Sequence, residues 1–310
     1  MKVFLAGATG AIGKQLVPQL VQAGHEVTGM TRSRDKADLV RSLGARPVVA
    51  DALDPEAVGR AVSEAEPDAI VHELTAIPPQ LDMRNIDRSF ALTNRLRTEG
   101  TGHLLSAARA AGVERFVAQS FAGWPYAAEG GPVKSEDDPL DPNPPANIAQ
   151  TLAAIRHLEQ AVTEAGGIVL RYGGFYGPGT NMSVDPPGEM VEMIRGRKVP
   201  LVGDGGGVWS FVHVEDAAAA TVKAPERGEP GIYNVVDDEP APVSEWLPGI
   251  ASAVGAKPPR RVPRAIARLL AGEAAVRMMT ESRGASNAKA KSELGWRPRY
   301  PSWREGFVPG

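Results

Sequence analysis

The opening residues Met1-Lys-Val-Phe-Leu-Ala-Gly7-Ala-Thr-Gly10-Ala-Ile-Gly13 decide how the rest of the chain is read. Lys2 to Ala6 has the composition of a buried strand. Gly7, Gly10 and Gly13 follow at three-residue intervals, and Ile12, Leu16 and Leu20 continue at helical spacing. A strand that turns over on glycines into a helix makes an anion site. The missing Cβ atoms let phosphate oxygens reach the backbone, and the free N–H groups and dipole of the helix start stabilise negative charge. A plain strand-to-helix turn uses glycines too. The strand before them and the helix after them are what favour a dinucleotide pyrophosphate.

Composition narrows the function classes. At 310 residues the chain can bury a sizeable core, as one large domain with a smaller lobe. A net charge of −3 gives no basic excess for neutralising phosphates, so neither a nucleic acid nor an anionic membrane is expected as a partner. Cysteine is absent, which excludes disulfides, thiol nucleophiles and thiolate metal sites. No run reaches the roughly 20 apolar residues of a membrane span, and the chain enters a strand with no targeting segment before it. A cytoplasmic location is the expectation.

Strand and helix alternate with short connections. The first helix is expected over Ala11–Ala23, kinked at Pro18 because proline removes a backbone bond. Strands are expected at His25–Thr31, Ala45–Asp51, Ala69–Leu74, Arg115–Ser120, Ile168–Tyr172 and Ile232–Val236. Helices are expected at Glu56–Ala65, Asp87–Ala111, Ile148–Ala165 and Glu215–Ala224. This is the pattern of an α/β fold, a doubly wound parallel sheet of the Rossmann type. Residues 1–172, completed by 212–236, form the dinucleotide-binding domain. Residues 173–211 and 237–310 form a smaller, C-terminal substrate-binding lobe. Phe121 to Asn147, dense in glycine and proline, reads as a loop over the substrate pocket, because it follows a strand whose carboxyl end faces the ligand crevice. Its Glu136-Asp137-Asp138 reads as a solvated turn. His72, inside an apolar strand, reads as a satisfied core histidine.

Coenzyme choice is written after the second strand. An acidic residue there would bond the ribose hydroxyls of NAD, but the chain places Arg32 and Arg34 instead. A guanidinium suits a 2′-phosphate, so NADP is expected over NAD.

With these pieces in place the chain resembles the extended short-chain dehydrogenases/reductases, the NAD(P)-dependent epimerase/dehydratase group. Gly7-Ala-Thr9-Gly10-Ala11-Ile12-Gly13 is similar to its glycine signature. Arg171-Tyr-Gly-Gly-Phe-Tyr-Gly-Pro-Gly179, Phe211-Val-His-Val-Glu-Asp216 and Tyr233-Asn-Val are similar to later family segments. The resemblance implies that Asp51 and Ala52 lie beside adenine, Leu74 and Ser120 along the coenzyme, and Phe175 near the nicotinamide. Helices 87–111 and 148–165 pack dimers in relatives, so a homodimer is the assembly it implies.

The chain departs from the family at its chemistry. Relatives keep a tyrosine and a lysine four residues apart on the helix after the pocket loop, and a serine or threonine past the fifth strand. Counting back from Glu159 puts Thr151 and Ile155 at the first two positions, and Phe121 stands at the third. A threonine hydroxyl is too weak an acid to protonate an alkoxide near neutral pH. Tyr126, Tyr176 and Lys134 remain as proton sources, with Tyr126 taken as the catalytic candidate because it follows Ser120 closely. No metal is expected. The resulting expectation is an NADP(H)-dependent oxidoreductase acting on a small organic carbonyl or enone. A non-catalytic NADP-binding regulator is the alternative, and a nucleotide-sugar epimerase is less favoured.

Overall fold

The protein is described by a computed structural model over residues 1–78 and 80–307. The last three residues of the Trp/Pro-rich tail lie outside the described residues. Seven strands form one parallel sheet: β1 (Lys2–Ala6), β2 (Glu26–Thr31), β3 (Arg46–Val49), β4 (Ala69–His72), β5 (Arg115–Phe121), β6 (Ile168–Tyr172) and β7 (Gly231–Val235). Their order is β7-β6-β5-β4-β1-β2-β3. The order reverses between β1 and β4, where the register pairs Val3 with Ala69 and Ala6 with His72. In open α/β sheets the crevice beyond such a reversal takes the ligand.

Alternation along β1 shows why both faces are covered. Val3 and Leu5 pack with Leu16, Val17 and Leu20 of the first helix and with Ala217 and Ala218 of the helix Val214–Arg227. Phe4 and Ala6 point the other way, into Val58 and Val62, Leu104 and Ala108, and Leu158 and Val162 of three further helices. The first helix, Ala11–Gln22, continues through Pro18, whose ring lies on the exposed face while its neighbours Leu16, Val17 and Leu20 pack into the core. The expected long helix 87–111 is instead three helical pieces and one π turn: Ile86–Ser89, Ala91–Arg95, the π turn Leu96–Gly100, and Thr101–Ala110.

A second apolar cluster gathers Tyr176, Leu201, Phe211, Trp246, Leu247 and Trp303 from the segments after β6 and β7. The helix Val214–Arg227 holds the tail to the sheet: the Asp216 carboxylate accepts from the N–H groups of Arg299 and Tyr300 at 2.8 and 2.9 Å. The loop 121–147 is pinned as well. Val133–Lys134 pairs in parallel with Gly284–Ala285, and Tyr126 bridges to Leu140.

Candidate coenzyme and active site

The glycines after β1 divide their work. Gly7 has φ +108°, and a Cβ there would sit 2.7 Å from the Glu73 carbonyl oxygen. A Cβ on Gly13 would sit 2.3 Å from the Gly7 oxygen, so these two glycines let β1, β4 and the helix approach one another. Gly10 differs. It caps the helix Ala11–Gln22 without a side chain, is exposed, and a Cβ there would meet only the Gly7 oxygen at 3.4 Å. The open face of Gly10 and the unshielded helix start fit a diphosphate.

The other expected coenzyme residues stand along the same edge of the sheet, at the carboxyl ends of successive strands. Arg32 and Arg34 follow β2 and are exposed. Asp51 and Ala52 follow β3; Asp51 accepts from the Leu53 N–H at 3.0 Å, and the Ala52 carbonyl lies 2.9 Å from His103 Nδ1. Half-buried Leu74 follows β4, Ser120 is in β5, and Phe175 lies past β6 against Tyr172, with ring centroids 5.3 Å apart. His72 is a core residue, 3.1 Å from the Thr101 hydroxyl, and burial pushes its pKa down to about 4. Beneath Gly7, buried Glu73 lies 2.9 Å from the Tyr172 hydroxyl, and burial pushes its carboxyl up to about 8. Glu73 Oε2 has no partner among the described residues.

At the helix Ala149–Glu164, Thr151 and Ile155 are both buried. The Thr151 hydroxyl donates to Asp87 Oδ1 at 2.7 Å, and Asn94 Nδ2 donates to the Thr151 oxygen at 3.2 Å. Two turns on, Glu159 organises a buried network. It accepts from Ser120 Oγ at 2.6 Å and from Arg171 Nε and Nη2 at 2.8 and 2.7 Å. Arg171 Nη1 donates to the Tyr126 hydroxyl at 3.1 Å, which donates to Asn234 Oδ1 at 2.6 Å.

Tyr126 is therefore placed differently from a free acid at the pocket rim. Its hydroxyl is engaged on both sides, and burial raises its pKa above the ordinary phenol value despite Arg171. The other proton sources are held as firmly. Lys134 is buried, with Nζ donating to the Glu129 carbonyl at 2.6 Å and to Asp138 Oδ1 at 3.0 Å. Tyr176 is buried and donates to the Ser302 carbonyl at 3.3 Å. Glu136 is no solvated turn residue: its carboxylate accepts from the Asn234 N–H at 2.7 Å, because the loop folds back onto β7.

Two adjoining clefts, with about 430 and 330 Å³ of empty space, open beyond β5. They share Trp124, Met278 and Ser282. The inner one is walled by Phe121, Trp124 and Trp209 beside Gly174, and the outer one by Tyr126, Ile148, Leu152 and Arg277. These walls suit a flat, largely apolar molecule with a polar end. Among the described residues no group of three acidic or histidine side chains could hold a metal ion. No helix there is long and apolar enough to cross a membrane.

Sequence reasoning did not single out Asn94, Arg97 or Glu73. The available signal was a polar residue on the buried face of an amphipathic stretch: Arg97 stands between buried Leu96 and Gly100, four residues after buried Thr93.

Comparison with known proteins agrees with this geometry. Residues 3–235 match the model of the NAD dependent epimerase/dehydratase family. A 3-diazoavenalumate denitrifying reductase of a Streptomyces species is 47% identical over 310 residues, covering 99% of both chains. A 2-alkyl-3-oxoalkanoate reductase of Stenotrophomonas maltophilia is 28% identical over 277 residues, covering 86% of this chain and 78% of that one. Among solved structures, a Thermus thermophilus UDP-glucose 4-epimerase in complex with NAD has a TM-score of 0.73 at 28% identity, covering 99% and 96% of the two chains. The Thermotoga maritima UDP-glucose 4-epimerase with UDP-glucose has a TM-score of 0.77 at 22% identity, with the same coverage. The glycine turn, the strand order and a match spanning both together place the chain in the NAD-dependent epimerase/dehydratase family.

Proposed function

We propose that the protein is an NADPH-dependent reductase that replaces an aromatic diazo group with hydrogen. One observation carries the reading: the glycine turn keeps an open Gly10 and an uncapped helix start that fit a diphosphate, while Thr151 and Ile155 stand where the family resemblance would put the proton-relay tyrosine and lysine. Reduction of a carbonyl must protonate an alkoxide, so loss of the relay is costly there. Reduction of an arenediazonium has no such need. Hydride and its two electrons go to the arene, the carbon–nitrogen bond breaks, dinitrogen leaves, and the ring gains one C–H bond. Neither side of the balance contains an external proton. The bound coenzyme supplies the hydride, and the protein supplies binding, orientation and exclusion of water.

Three further features support it. A relative 47% identical over nearly the whole chain is named for a diazo substrate and its denitrifying reduction. Phe121, Trp124 and Trp209 give the inner cleft aromatic walls for a flat ring. Arg32 and Arg34 after β2 support NADPH over NADH.

The test uses NADPH carrying deuterium at the transferable position, an arenediazonium carboxylic acid, and ordinary water. Deuterium on the ring carbon that bore nitrogen, with one dinitrogen released per NADPH consumed, is the expected result. Turnover of a ketone and enone panel with no action on the diazo compound would replace this reading with the carbonyl one. Binding of NADPH without turnover of either class would favour the regulatory one.

A further inference from the structure

Leu96–Gly100 is a π turn between two α-helical pieces. Such turns insert a residue and re-aim side chains, frequently at functional sites. Arg97 sits in it. The residue is half-buried, its guanidinium lies 5.9 Å from the centre of the Phe90 ring, and Nη1 has neither solvent contact nor a hydrogen-bond partner among the described residues. Its charge is felt at His72, at the end of β4, and at Glu159, one turn beyond Ile155.

One turn earlier stands Asn94. Thr151 gives its proton to Asp87, so its oxygen accepts, and the amide end facing it must be the Nδ2 of Asn94. Asn94 Oδ1 is then left buried with no partner among the described residues. The helical stretch 91–100 packs directly on the helix Ala149–Glu164. One orphaned donor and one orphaned acceptor thus lie three residues apart, on the stretch that packs against the helix carrying Thr151 and Ile155. Both atoms are costly to leave unpaired away from water, which points to a ligand.

We propose that Asn94 and Arg97 form the subsite for the nicotinamide-ribose diol. Each hydroxyl of a vicinal diol donates and accepts, so a fixed carbonyl oxygen and a fixed guanidinium N–H complement the pair. Arg97 is a positioning residue, since it holds the ring that carries the hydride and does not touch the substrate. The proposal rests on the coenzyme-binding reading above.

Titration calorimetry with two probes separates the possibilities: NADPH, and 2′,5′-ADP, which keeps the adenine half and lacks the nicotinamide ribose. Arg97→Met is expected to raise the Kd for NADPH about tenfold or more while leaving that for 2′,5′-ADP within about twofold, the loss of one charge-assisted bond. Arg97→Lys recovers part of that loss. Asn94→Ser, which shortens the acceptor and leaves little empty space, is expected to raise the NADPH value several-fold, and it serves if Arg97→Met fails to fold. Equal losses for both probes, or none for either, in Arg97→Met or Asn94→Ser overturn the proposal. If the unaltered protein binds the two probes equally, the subsite is refuted while coenzyme binding stands. If it binds neither probe, the coenzyme reading itself falls.

Discussion

Thr151 Oγ1 donates to Asp87 Oδ1 at 2.7 Å, across 64 residues of sequence. The same carboxylate accepts from the N–H groups of Thr151 at 2.7 Å and Gln150 at 3.0 Å, so it caps the helix Ala149–Glu164 from a neighbouring element. Thr151 is thus a fastening between two helices. Asp87→Ala removes all three bonds and the favourable charge at the helix start, and should cost about 1–3 kcal/mol of stability. Urea unfolding measures it; a change within error would show the cap to be idle.

Glu159→Gln leaves the Arg171 guanidinium buried against a neutral partner, while Ser120 and Tyr126 keep their places. Breaking one side of a buried pair typically costs about 3–5 kcal/mol, and a loss of that size is expected in the unfolding free energy. A loss near zero would mean that the network carries little of the packing between β5, β6 and the helix.

The two kinds of glycine should part company. Gly13→Ala puts a Cβ 2.3 Å from the Gly7 oxygen, a backbone atom that must move, so a loss of about 1–3 kcal/mol is expected in thermal unfolding. Gly10→Ala meets that oxygen at 3.4 Å, an ordinary contact, and should cost at most about 1 kcal/mol. Its effect is expected on NADPH affinity, because the methyl group stands where the diphosphate must approach. Unchanged affinity in Gly10→Ala would count against the site.

Arg32 and Arg34 stand exposed after β2, where a 2′-phosphate would lie. Arg32→Ala should raise the Kd for NADPH by about tenfold, the scale of one charge-assisted bond, and leave the Kd for NADH unchanged. Parallel fluorescence titrations with the two coenzymes check this, and equal changes for both would remove the basis for the proposed NADPH preference.

Glu73 ties stability to pH. Burial raises its carboxyl to about 8 from about 4.5, so the folded state favours the protonated acid. That contribution is fully present below the unfolded value near 4.5 and is lost as pH rises through about 8. Glu73→Gln keeps the shape without the proton. The variant should therefore gain on the unaltered protein as pH rises from 5 to 9, by about 2–4 °C in Tm for each kcal/mol recovered. Melting curves across that range decide it; a difference independent of pH would show that Glu73 does not titrate as described.

Short-range features were legible in the chain alone. Ile168–Tyr172 was read to the residue, and the turn Gly7–Gly13 needed only the strand before it and the apolar spacing after it. Those signals depend on residues a few positions apart. The engagement of Tyr126 was not legible, because its partners Arg171 and Asn234 stand 45 and 108 residues away. Nor was the π turn that turns Arg97 inward, since a single inserted residue leaves the apolar rhythm of 91–110 nearly unchanged. Local sequence determined the sheet and the glycine turn. Tertiary packing alone decided which polar groups are tied to one another and which are left buried with bonds to make, because hydrogen-bond satisfaction depends on every element that closes around a side chain.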